Sequence, residues 1–61
     1  MTIELSDQEA RTLRDLLQQR VVELDKEINR TDSLGFKEEL QELDRLLERI
    51  IGTLSIALAR A

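Results

Sequence analysis

The chain has 61 residues, a net charge of −4 at pH 7, no cysteine and no histidine. It forms one domain at most, residues 1–61, and a core in a chain below about 70–80 residues rarely contributes more than ~3–5 kcal/mol without an added constraint. Disulfides and a structural zinc site are excluded because their ligands are missing, which leaves oligomerisation as a source of stability. Residues 21–47 carry eight acidic and four basic side chains, a balance that disfavours binding to phosphate backbones.

The first helix is predicted over about residues 7–30. Residues 1–5 alternate between apolar and polar side chains and are expected to form a short extended arm. Ser6 and Glu9 match a capping box, in which each side chain accepts a hydrogen bond from the other residue's amide and so starts a helix. The apolar residues then recur at steps of 3, 4, 4, 3 and 4, which fits an α-helix and not a strand: Ala10, Leu13, Leu17, Val21, Leu24 and Ile28.

A polar segment, residues 31–35, interrupts the apolar pattern and predicts a turn. Thr31 or the amides that follow it are expected to satisfy carbonyl groups at the end of helix 1, and Asp32 is expected to accept from the amides two or three residues on, as an Asx-turn or a cap. The second helix is expected to start near Gly35, a permitted N-cap, or near Ser33, and its expected bounds are about residues 35–59. Gly52 inside it indicates either a propensity loss of about 1 kcal/mol or a close approach of another backbone. The apolar residues of helix 2 follow a heptad repeat: Phe36, Leu40, Leu43, Leu47, Ile50, Leu54, Ala57 and Ala61.

The two helices are expected to fold back on each other as an antiparallel hairpin. A reversal near residue 33 places position 17 opposite about position 50, and position 21 opposite about position 46, so Leu17 and Leu47 are expected in the core at mid-hairpin. Phe36 is expected to close over the turn onto Ile28 and Leu40, which would bury the only aromatic side chain of the protein.

The apolar faces of both helices are wider than one partner helix can cover. Leu46, Ile51 and Leu58 flank the heptad positions of helix 2 and widen its apolar sector to about 140°, and Leu16 adds to that of helix 1. We therefore predict an all-α antiparallel helical hairpin that dimerises into a four-helix bundle. The residues predicted for the core or dimer interface are Leu13, Leu17, Val21, Leu24, Ile28, Phe36, Leu40, Leu43, Leu46, Leu47, Ile50, Ile51, Leu54 and Leu58.

The sequence offers no catalytic, cofactor-binding or metal-binding residues. Without histidine or cysteine it has no neutral-pH imidazole, no thiolate nucleophile and no soft metal ligand. Glu38, Glu39 and Glu42 cluster at helical spacing, but Glu38 and Glu42 fall on the outer face, where charged side chains are ordinarily solvated. We therefore predict a non-enzymatic interaction or structural module that takes no cofactor and no small molecule and whose partner is a second copy or another protein.

The sequence shows no recognisable signal peptide or membrane span, and we expect the cytoplasm by exclusion. Residues 1–7 lack the basic and apolar regions of a signal peptide, and no run approaches the ~18–20 apolar residues of a membrane span. The acidic side chains that border the apolar face of helix 2 also disfavour binding to an anionic membrane surface. We expect a cytoplasmic protein without a membrane partner.

Nucleic acid binding is the alternative function. Arg11 and Arg14 share a face of helix 1, and a hairpin brings Arg60 to the same end, so dimer symmetry would double a basic patch. Asp7 and Asp15 lie within one helical turn of Arg11, however, and neutralise it. The acidic balance therefore favours an ordinary helix surface over a nucleic-acid interface.

Three short motifs resemble a group of short bacterial proteins of unassigned function. These are Leu5-Ser6 followed by Glu9-Ala10, the central Glu27-Ile28 followed by Thr31-Asp32, and Phe36-Lys37 ahead of a leucine-rich second helix. The resemblance covers about residues 5–47 and implies a helical hairpin without a known activity, although Gly35 replaces a polar helix-capping residue common in that group. In size and layout the chain is also similar to Rop, a plasmid RNA-binding regulator whose hairpins dimerise into a four-helix bundle. This similarity is one of architecture only, because no residues of this chain match RNA-contact residues, and nucleic acid binding in the manner of Rop is kept as the alternative function.

Overall fold

A computed structural model describes residues 1–60 of the chain. Two helices, α1 (Asp7–Arg30) and α2 (Leu34–Arg60), pack against each other as a hairpin about 42 Å long, and residues 1–60 contain no strand. The predicted all-α hairpin and the bounds of the first helix are confirmed. Ala61, predicted as the last heptad position of α2, lies outside the described residues.

The capping box sets the start of α1. The Ser6 amide donates to Glu9 Oε1 at 2.9 Å, and the Glu9 amide donates to Ser6 Oγ at 3.1 Å. The bond from the Ser6 amide, and then the nearby Ser6 hydroxyl, lower the pKa of Glu9, because both groups favour the ionised carboxylate. At the other end of α1, the Thr31 hydroxyl donates to the Glu27 carbonyl at 2.6 Å, and the Thr31 amide donates to the Ile28 carbonyl at 3.4 Å. Thr31 therefore satisfies carbonyl groups at the end of the helix, as predicted.

The turn is shorter than predicted, because α2 begins at Leu34 and only residues 31–33 lie between the helices. Ser33 caps α2: its hydroxyl accepts from the Phe36 amide at 3.5 Å and its carbonyl from the Lys37 amide at 2.9 Å. The predicted capping role of Asp32 is therefore wrong. Gly35 is likewise not the cap but a residue of the first turn of α2, and no glycine of the described chain has a positive φ.

The helices meet along a seam in which buried and half-buried positions recur with a heptad spacing. Ala10, Leu24 and Leu40 are the buried apolar residues of the described chain, and Leu24 has no exposed surface. Asp25 of α1 lies beside Asp44 of α2, close to the predicted register. We define the seam by its least exposed positions, which are Ala10, Arg14, Leu17, Val21, Leu24 and Ile28 of α1, Thr31 directly after it, and Lys37, Leu40, Asp44, Leu47, Ile51, Leu54, Ser55 and Leu58 of α2.

Phe36 is not buried, and its predicted closure onto Ile28 and Leu40 is wrong. It retains 53 % of its surface in the hairpin, whereas the neighbouring Lys37 occupies the seam position. The helix α2 contacts α1 through heptad positions 37, 44, 51 and 58. Positions 36, 43, 50 and 57, which the apolar pattern favoured, stay exposed. Both arrangements are possible because the apolar sector of α2 is broad enough for either of its halves to face α1. Neither helix, within the described residues, has a stretch long and apolar enough to cross a bilayer.

Candidate interaction surface

One side of the hairpin displays large apolar side chains that the seam leaves uncovered. Their exposed fractions range from 37 % for Leu13 to 57 % for Leu16. Such side chains are ordinary when scattered singly, whereas several on one side of a molecule form a candidate interaction surface. We call this group the apolar face and define it as Leu13 and Leu16 of α1 with Phe36, Leu43, Leu46 and Ile50 of α2.

Helical geometry places these residues of both helices on the same side. Each residue advances about 100° around the helix axis. Measured around the axis against this direction of advance, the α1 members lie roughly 50–110° from the middle of the seam positions of α1. The α2 members lie roughly 50–130° from the middle of the seam positions of α2, in the same sense. The helices run in opposite directions, so an equal rotation away from the contact line on each helix leads to the same side of the hairpin. Gln18, Val22 and Glu48 are rotated the other way and line a separate depression on the opposite side.

The apolar face crosses the hairpin obliquely and has a charged border. Its α1 part lies near the open end, whereas its α2 part extends from the turn to mid-hairpin. Nearer the turn, the same side of α1 carries Arg20, whose guanidinium lies 3.3 Å from Glu23 Oε2 and 3.2 Å from Glu27 Oε1. The bonds to Glu27 and then Glu23 raise the pKa of Arg20. Because all three side chains are exposed, these pairs add little stability and serve as a polar rim.

The N-terminal arm extends the apolar face at the open end. An open groove of about 460 Å³ lies between the arm and α1, and Leu13 and Leu16 form part of its wall. Leu5 of the arm is 41 % exposed there, so it adds apolar surface beside them. On the other side of the arm, Ile3 and Leu5 line a second depression with Leu54, Ala57 and Leu58 of α2. The arm is therefore placed beside both helices.

The area of the apolar face suits a protein interface. With about 180 Å² for a fully exposed large apolar residue, the six side chains expose roughly 500 Å², which is within the size of the largest patch on ordinary monomers and typical of functional patches. A standard interface buries about 800 Å² per partner, of which a little over half is apolar. The apolar face therefore provides the apolar part of one standard interface.

The structure divides the predicted core residues between the seam and the apolar face. The exposed members are Leu13, Phe36, Leu43, Leu46 and Ile50. The buried or half-buried members are Leu17, Val21, Leu24, Ile28, Leu40, Leu47, Ile51, Leu54 and Leu58.

Polar residues occupy seam positions that the apolar pattern did not identify. Arg14, Lys37 and Asp44 are half-buried, and each continues a heptad spacing that apolar residues leave incomplete. The Arg14 guanidinium is paired with Asp15, but its Nε atom, 3.5 Å from Asp15 Oδ1, is buried and donates no hydrogen bond to the described residues. Asp44 Oδ1 is also buried and accepts no hydrogen bond from the described residues. A search for heptad positions that counts residues of every type would have found all three.

The acidic residues do not form a metal centre. Among residues 1–60 no group of three aspartate or glutamate side chains is arranged to hold a metal ion. No protein-family model, curated protein or solved structure matches this chain.

Proposed function

We propose that this protein is a non-enzymatic interaction module that self-associates through the apolar face into a homodimeric four-helix bundle. The observation that carries the proposal is the group of six large apolar side chains, 37–57 % exposed, on one side of a hairpin. A second copy brings an identical face, and a two-fold interface is the commonest way for identical patches to cover each other. Two stacked hairpins then have four helices around a shared apolar centre.

The energy balance supports a second copy as the occupant. Burying about 500 Å² of apolar surface on each of two chains contributes at most about 25 kcal/mol at ~25 cal/mol per Å², whereas association costs about 4–15 kcal/mol. A hairpin with three buried apolar residues has little core of its own, and the chain has no cysteine or histidine to brace it. Dimerisation therefore supplies stability that the single chain lacks.

A pair of matched substitutions tests the proposal. Leu46, 54 % exposed, belongs to the apolar face, and Ile56, 56 % exposed, lies on the outer side of the same helix, so Leu46→Glu and Ile56→Glu make the same chemical change at equal exposure. The mass of each variant in solution is measured by sedimentation equilibrium at tens of micromolar. We expect a dimer for the wild type and Ile56→Glu, and a shift towards monomer for Leu46→Glu. A dimer that is unaffected by Leu46→Glu would contradict the proposed interface.

The alternative function, binding of structured nucleic acid in the manner of Rop, has less support. Arg14 is a seam residue whose side chain is only 29 % exposed, so the basic patch is reduced to Arg11 and Arg60. A gel-shift assay with total RNA at low salt distinguishes the two functions. We expect no shift at micromolar protein, and a shift that is lost in Arg11→Glu but retained in Leu46→Glu would favour the alternative.

A further inference from the structure

Asp44 occupies an unusual position for a carboxylate. It lies in the seam between the apolar residues Leu40 and Leu47. Its Oδ1 atom has no exposed surface and accepts no hydrogen bond from the described residues. An ionised carboxylate oxygen in this situation loses solvation without compensation, which disfavours the charged form.

The groups that face Asp44 are acidic on both helices. Asp25 of α1 acts on Asp44 across the seam, and Glu48, one turn further along α2, adds a second negative charge. The ion pairs of residues 1–60 involve other acidic residues, so no cation balances this group. Two carboxylates can form a hydrogen bond only if one of them is protonated and donates to the other.

We propose that Asp25 and Asp44 act as a proton-dependent clamp between the helices, in which one shared proton fastens the hairpin at mildly acidic pH and its loss near neutral pH weakens the contact. The protonated pair makes a hydrogen bond across the seam. The doubly ionised pair places two like charges there. The clamp is a property of each hairpin and does not depend on dimerisation.

The sign of the pH effect follows from the protonation states. The hydrogen bond with Asp25, followed by burial and the charges of Asp25 and Glu48, raises the pKa of Asp44 to about 6. A carboxyl whose pKa is higher in the folded state contributes stability that is fully present below its unfolded pKa and is lost as pH rises through about 6. The chain contains no histidine, the side chain that ordinarily titrates between pH 5 and 7.5.

Thermal unfolding between pH 5.0 and 7.5 at one fixed protein concentration tests the clamp. With a pKa of about 6 in the folded state and ~4 in the unfolded chain, linkage changes the folding equilibrium by at most about tenfold between pH 5.0 and 7.5. Solvent screening at this partly open site reduces the expected change to about threefold. We expect the wild-type Tm to be higher at pH 5.0 than at pH 7.5 by about 2–5 °C. Unfolding curves that are flat over this range, or a lower Tm at pH 5.0, would overturn the proposal.

Matched variants assign the effect to this pair. Asp44→Asn is expected to remove the difference between pH 5.0 and 7.5, because an amide donates to Asp25 at either pH. Glu42→Gln removes the same charge from an exposed site two residues away and is expected to retain the wild-type difference. An NMR titration of the side-chain carboxyl carbons gives an independent readout, with a midpoint near 6 expected for Asp44. A pH dependence that persists in Asp44→Asn, or a carboxyl midpoint near the ordinary ~4, would refute the clamp.

Discussion

Replacement of Leu24 by alanine tests the packing of the seam at its most enclosed point. Leu24 has no exposed surface, so the substitution removes buried carbon atoms and leaves a cavity. Core leucine-to-alanine changes cost about 2–5 kcal/mol, and a two-layer hairpin can collapse partly around the gap, so we expect about 2–4 kcal/mol here. At about 4–8 °C per kcal/mol for a small domain, this lowers the Tm by roughly 10–25 °C.

The free energy of unfolding is measured by urea titration followed by circular dichroism, with wild type and variant at one concentration. Val22→Ala is the control, because Val22 is 54 % exposed and lies two residues away on the opposite side of α1 from the apolar face. We expect the control to change stability by less than about 0.5 kcal/mol. A loss below about 1 kcal/mol for Leu24→Ala, or equal losses for both variants, would refute the packing described for the seam.

The same measurement tests three local features. Ser6→Ala removes one half of the capping box and is expected to destabilise by about 0.5–2 kcal/mol, and Ser6→Asp, which restores an acceptor, to recover most of it. Ser33→Ala is expected to cost about 0.5–1 kcal/mol and Asp32→Ala less than about 0.5 kcal/mol, because Ser33 caps α2; the reverse order would contradict this assignment. Gly52→Ala is expected to stabilise by up to about 1 kcal/mol, since nothing lies within 4 Å of the added Cβ, and a loss of stability would indicate a close approach of a second chain there.

The start of α1 was predictable because several local signals agree. Ser6 and Glu9 form a reciprocal cap, and the apolar period begins at Ala10. The start of α2 was not predictable in the same way, because Asp32, Ser33 and Gly35 all have cap-forming chemistry and none of them is part of a capping box. The bonds from the Phe36 and Lys37 amides identify Ser33 as the cap.

The contact phase of α2 could not be predicted from apolar spacing. Its apolar sector spans about 140°, so rotation of the helix by half that sector still presents leucines to α1. The structure places Lys37 and Asp44 in the seam and leaves Phe36 and Leu43 exposed. The uncovered half then becomes the apolar face. The wide apolar sector of α2 therefore has two consequences: the side of α2 that contacts α1 could not be predicted, and apolar side chains remain exposed for the proposed self-association.

The mass of the wild-type protein in solution tests the central claim most directly. Sedimentation equilibrium across about 1–100 µM, with helicity followed in parallel, separates a folded monomer from a folded dimer, and a dimer is expected to show a Tm that rises with concentration. We expect a mass twice that of the 7.1 kDa chain at the upper concentrations. A fully helical, cooperatively unfolding species with the mass of one chain throughout this range would show that the apolar face does not bind a second copy.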